Sequence, residues 1–204
     1  MKSLGLIFIT LLLFSGTSYS QSSKAYCAQK ITWFGLDYSV ANFTDDRAFP
    51  DPYKLKNKLF NEWNELVFKE NKKFDLGKAF NKSEIIYSTS FINNRNKNID
   101  ILNQIGNYRF HQRFFSNDSI QKIINTYNTP ANTVGVGLVF IVERLNKPQR
   151  EAVYWVTFFD IKTKKVLLTE QIIGIPSGAG IRNYWANSFY NALVKAEREM
   201  GFVF

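Results

Sequence analysis

Apolar residues crowd into three short runs towards the C-terminal end of the chain: Val134 to Glu143, Ala152 to Asp160 and Val166 to Ile173. Each is rich in Val, Ile, Phe, Tyr or Trp, and polar segments of turn size part them, a spacing that predicts an antiparallel meander. Leu138-Val139-Phe140-Ile141-Val142 is apolar without a break. Neither face of that strand is left to water, so it belongs near the middle of a sheet. Downstream, Ile181, Trp185, Phe189, Ala192, Ala196 and Met200 recur at steps of three and four. That stripe predicts a long helix roofing the sheet, with Gly201 as its stop.

Upstream, Lys30 to Phe43 alternates as a strand does. Asp51 followed by Pro52 reads as an N-cap with proline at the first helical position, and Leu55, Leu59, Trp63, Leu66 and Val67 mark the buried stripe of a helix to about Lys69. Asn71 to Lys82 is ambiguous in pattern, and Phe74, Leu76, Ala79 and Phe80 fit one side of a short helix with a basic outer side. Ser83 to Ile92 has strand composition, and Asn93 to Asn98 (NNRNKN) reads as a polar tip where the chain reverses. Ile99 to Phe115 fits either a helix or an irregular crossover. Asn117 or Asp118 then caps a helix with Ile120, Ile123, Ile124 and Tyr127 inward, ended by Asn128-Thr129-Pro130.

The first 20 residues change the picture. Lys2 is a minimal basic start, Leu4 to Phe14 an apolar core, and Ser18 and Ser20 are the small residues before a cut at Gln21. This is the pattern of a signal peptide and points to the periplasm or the cell exterior. Gln21 to Gln29 is expected to be a flexible leader, followed by a single domain over 30–204. One cysteine, Cys27, allows no internal disulfide, so the fold rests on its core. A chain of this length buries roughly 70 % of its unfolded surface. The formal charge is +9. In a secreted protein that excess suits anionic surfaces or simple solubility rather than nucleic acid.

Motifs for chemistry are sparse. With one histidine, His111, and one cysteine, neither a metal centre nor a Ser-His-Asp triad is expected, and nothing calls for a cofactor. Asp37, Asp45, Asp46, Asp51, Asp160 and Glu170 supply material for a carboxylate pair. The most suggestive stretch is Ser177 to Trp185. Gly178 and Gly180 lead into the last helix and Arg182 lies in its first turn, a pattern able to offer backbone N–H groups and a guanidinium to an anion.

Tyr154 to Leu168, with its Asp160-x-Lys-Thr163 turn, and the helix Ile181 to Met200 resemble the envelope proteins that share the TolB N-terminal or CsgG-like domain. Lys164 stands where those proteins often have glycine. The resemblance implies an accessory or assembly role without catalysis, and it transfers no functional residue. The expected fold is therefore α+β, a mostly antiparallel sheet with a C-terminal three-strand meander, covered by amphipathic helices in two or three layers. The expected function is a secreted, non-enzymatic binding or envelope-assembly module meeting an envelope protein or an anionic cell-surface component. The alternative is a small carboxylate-dependent hydrolase or lyase acting on cell-wall or polysaccharide material.

Overall fold

A computed structural model describes residues 16–106 and 115–202, and of 16–21 only the backbone. In chain order the elements are α1 (Gly16–Cys27), β1 (Lys30–Asp37), β2 (Asn42–Thr44) and α2, which runs through Pro52–Lys54, a π-turn Leu55–Leu59 and Phe60–Lys69. They continue with α3 (Leu76–Ala79), β3 (Glu84–Tyr87), α4 (Ser90–Lys97), β4 (Ile105–Gly106) and α5 (Asn117–Asn125). The meander β5 (Val136–Asn146), β6 (Glu151–Asp160) and β7 (Val166–Gly174) follows, and α6 (Ile181–Glu199) closes the fold.

The three-strand meander forms as its pattern predicts: β5 pairs antiparallel with β6, and β6 with β7. The expectation of a mostly antiparallel sheet is corrected by the other half. β1 runs parallel to both β3 and β5, and β2 runs parallel to both β4 and β5. The physical reason lies in the connections. Helices intervene between β1 and β3 and again between β3 and β5, and a strand that returns through a helical crossover re-enters in the same direction. The continuous apolar run of β5, buried on both faces, suits such a sheet.

Helices cover both faces, giving three layers. One core holds Trp33, Leu138, Phe140 and Tyr154 under residues of α2, α3 and α6; the second holds Phe34, Val139, Ile141 and Phe159 under α4 and α5. Trp185 and Phe189, the inner stripe of α6, are 3 % and 2 % exposed. Phe189 lies within 6.1 Å, centroid to centroid, of Trp33, Phe74, Phe140 and Tyr154. A fully buried ring of this kind contributes on the order of 1.5–3 kcal/mol through burial alone.

Three local features stand beside the expectations. The segment expected as a flexible leader includes the end of helix α1, where Ala25 is buried in the main core and the Tyr26 ring lies 4.7 Å from that of Phe202, tilted by 48°. The strand expected over Ser83 to Ile92 stops at Tyr87, and the polar tip beyond it is helix α4. The cap of α5 is Ser116, whose hydroxyl accepts from the Ser119 N–H. The apolar run Leu4 to Phe14, expected as the core of a signal peptide, lies outside the described residues. No helix among the described residues is long and apolar enough to cross a membrane.

The hairpin between β6 and β7 is tied by Asp160. Its Oδ1 accepts from the N–H and hydroxyl of Thr163 at 2.8 and 2.9 Å, and its Oδ2 pairs with Lys24 of α1. Partial burial works to raise this carboxyl, but those three donors outweigh it and hold the pKa at about 2. A carboxyl depressed on folding adds stability that is present above its unfolded value near 4 and is lost as pH falls through about 2. Asp160→Asn is expected to cost about 2 kcal/mol at neutral pH and to flatten the pH dependence between about 4 and 2. Denaturant titrations across that range measure both effects.

Candidate functional site

The helix α2 ends at Lys69, and the turn that follows is pinned from inside. The N–H of Phe74 returns to the Glu70 carbonyl, and the Phe74 ring is wholly buried. Asp75 caps α3 by accepting from the Lys78 N–H at 2.8 Å, while Leu76, Ala79 and Phe80 face the core. With the apolar positions turned in, Lys72 and Lys78 stand out. Between this turn and β3 lies an open hollow of about 370 Å³, lined by Asn71, Lys72, Lys78, Lys82, Ser83 and Tyr87 among others. Asp75 also lines it, its carboxylate already serving the cap.

Lys82 forms the floor. It is 7 % exposed, and its ammonium donates to the carbonyls of Ala25 and Tyr26 at 2.9 and 2.8 Å. Those are orphan acceptors in the last turn of α1, where a cation is favoured. The same ammonium sits 4.7 Å from the centroid of the Phe202 ring. Burial lowers its pKa to about 8, against the opposing pull of Cys27 nearby. At neutral pH Lys82 therefore still carries its charge.

The strand β3 borders the hollow and is the outermost strand on its side of the sheet among the described residues. Its inner side bonds β1: the Glu84 and Ser88 N–H groups reach the Gln29 and Trp33 carbonyls at 3.1 and 2.9 Å. Because inward and outward groups alternate along a parallel ladder, the N–H and C=O of Ile85 and Tyr87 are directed outwards. Apolar surface flanks this edge. Phe68 is 58 % exposed with its ring 5.2 Å from that of Tyr87, and Ile86 on the opposite face is 40 % exposed. Burial, and then the Asp75 charge, raise the Tyr87 hydroxyl above its ordinary value, so it stays a neutral donor.

The residues singled out in the sequence lie elsewhere. Gly178 and Gly180 both take positive φ, 95° and 74°, in the bend that leads into α6, and the bend is held by Asn187 and Asn191 of α6 donating to the carbonyls of Ser177 and Ile175. Arg182 is in the first turn as expected, but its guanidinium faces Glu62 at 3.5 Å, and its carbonyl accepts from the Trp63 indole at 2.9 Å. The arginine thus already has an internal carboxylate. Cys27 is exposed and free. His111 lies outside the described residues.

Of the six carboxylates marked in the sequence, Glu170 is exposed on β7 and the aspartates serve local structure, Asp46 by accepting from the Arg47 N–H at 2.8 Å. Asp37 is fully buried and accepts from the Tyr127 hydroxyl and the Ser39 N–H at 2.6 and 2.8 Å, with Arg95 at 3.3 Å. Asp45 and Asp51 cap the turns that follow them, and Asp160 ties the hairpin. One acidic group that the sequence did not mark is more notable. A bulge between Val142 and Arg144 sets Glu143 against the Trp155 indole and the Gln171 amide, both at 2.8 Å. Arg144 bridges from Glu143 to Glu151, at 3.4 and 2.9 Å. Both carboxylates thus share one guanidinium as an ion-pair partner. Among the described residues no group of three or more His, Cys, Asp or Glu is placed to hold a metal ion.

The lysines of the hollow were legible only as the outer side of a short helix. The signal lay in the interleaving of Lys72 and Lys78 with Phe74, Leu76, Ala79 and Phe80, which turns these two cations outward. In class the chain is an α+β domain whose main sheet is parallel and wound in a Rossmann-like order, with β1 between β3 and β5. No family model, curated protein or solved structure matches the chain.

Proposed function

We propose that this protein is a secreted, non-enzymatic binding module of the cell envelope whose docking face is the lysine-lined hollow beside β3, and that its partner there is an acidic segment of an envelope protein. The observation that carries this reading is that exposed Lys72 and Lys78, the latter sharing its charge with Glu197 at 3.1 Å, line one open hollow of about 370 Å³ beside a sheet edge that no further strand covers among the described residues, with the buried Lys82 ammonium turned inward beneath them. Cations gathered on a concave surface raise the local concentration of an anionic partner and speed its capture. The signal-peptide pattern and the resemblance to envelope accessory domains point the same way.

Titration with poly-glutamate tests it. The double variant Lys72→Ala, Lys78→Ala is expected to bind at least about tenfold more weakly, and added salt is expected to weaken the unmodified chain in the same direction. Both side chains lie at the surface, so stability should move by no more than about 0.5 kcal/mol apart from the exposed Lys78–Glu197 pair. Unchanged affinity in the double variant overturns the reading.

A further inference from the structure

Granting the docking face proposed above, we infer that the partner segment binds as an added β-strand on the outer edge of β3, with apolar and acidic residues in alternation. Two independent features of β3 fix this mode. The first is its backbone: the N–H and C=O groups of Ile85 and Tyr87 point away from β1, the geometry a further strand requires.

The second feature is the chemistry of the two faces. Side chains of an added strand alternate across the sheet as those of β3 do. Ile85 and Tyr87 share one face with the hollow, where the added strand meets Lys72 and Lys78. Ile86 lies on the other, 40 % exposed. Carboxylates therefore belong at every second position of the partner, over the lysines. Apolar side chains belong between them, next to Ile86. Phe68, 58 % exposed beside Tyr87, supplies an aromatic wall for the partner's backbone at the end of the edge. Charge decides against a second copy of this chain as the occupant, because the same lysines would face each other across a two-fold axis.

The probe is a ten-residue peptide alternating Val and Glu, blocked at both ends, compared with a peptide in which every Val is replaced by Pro. Charge is the same in both, but proline removes the ladder donors and disrupts strand pairing. The alternating peptide is expected to bind at least about tenfold more tightly than the proline peptide. Its binding should slow hydrogen exchange at the Ile85 and Tyr87 amides more than at Glu84 and Ser88, which are already bonded to β1. Ile85→Pro, at an outward-facing edge position, should lose that advantage while keeping its affinity for poly-glutamate. The exchange measurement on the unaltered chain decides the matter if that variant fails to fold. Equal affinity for both peptides, or no added protection at Ile85 and Tyr87, overturns strand addition and leaves the docking face standing. Failure of poly-glutamate and both peptides to bind overturns the docking face as well.

Discussion

Gly174→Ala is expected to destabilise the protein by about 3 kcal/mol or more, although it adds only one methyl group. Gly174 ends β7 under α6, paired with Ala152 and buried. A methyl group there would stand 2.0 Å from the Ser188 carbonyl oxygen, 2.9 Å from its carbon and 3.0 Å from the Ala192 Cβ. Two of these three atoms are helix backbone, which no rotamer change can move aside, so α6 must lift or tilt. That helix also carries Trp185, stacked on Phe49 at 5.6 Å, Phe189 at the centre of the aromatic core, and Ser188, bonded to the Tyr154 hydroxyl at 2.6 Å. A shift that relieves the methyl group loosens all of them, so the cost lies at or above the upper end of ordinary overpacking, about 1–3 kcal/mol. In a chain of this size it should appear as a fall in Tm of roughly 6–12 °C. A Tm within about 2 °C of the unmodified chain would show that α6 does not rest on this glycine.

The close approach at Gly174 was not legible in the sequence, whereas the elements on either side of it were. The apolar runs and the stripe from Ile181 to Met200 gave the meander and the roof helix within a few residues, because these are local periodicities repeated over ten residues or more. The parallel half escaped for the opposite reason. β3 has four residues and β4 two, too few for a period to emerge, and their direction is set by crossovers joining distant parts of the chain. The apolar run of β5 with no wet face fits a central antiparallel strand as well as one with parallel neighbours, so by itself it does not set direction. The docking face follows the same logic. Its lysines are visible in the chain, but their placement beside a sheet edge depends on β3 being outermost among the described strands.

The asparagines show the limit most sharply, and they carry the second large effect. Asn93 to Asn98 has the composition of a solvent-exposed tip, yet α4 turns Asn93 and Asn96 inwards towards Asn64 of α2, which has no exposed surface. β3 pairs with β1 only as far as Trp33, and beyond that point these amides bond the backbone of Leu36 and Tyr38. Asn64 Oδ1 accepts from the Leu36 N–H at 2.6 Å, and its Nδ2 donates to the Leu36 carbonyl and to Asn93 Oδ1 at 3.3 and 2.7 Å. Asn96 Oδ1 accepts from the Tyr38 N–H at 2.8 Å, and its Nδ2 also donates to the Leu36 carbonyl, at 2.9 Å. Asn64→Leu keeps the shape but strips the partners from the Leu36 N–H and Asn93 Oδ1. Each such orphan costs about 1–3 kcal/mol, against roughly 1 kcal/mol regained from the added apolar surface. The expected net loss is about 3 kcal/mol. The Leu36 carbonyl gives a sharper test, because either asparagine alone still satisfies it. The double variant Asn64→Leu, Asn96→Leu should therefore lose more than the sum of the single variants, by about 1 kcal/mol. Strict additivity in denaturant titrations would mean that the two amides do not share that carbonyl.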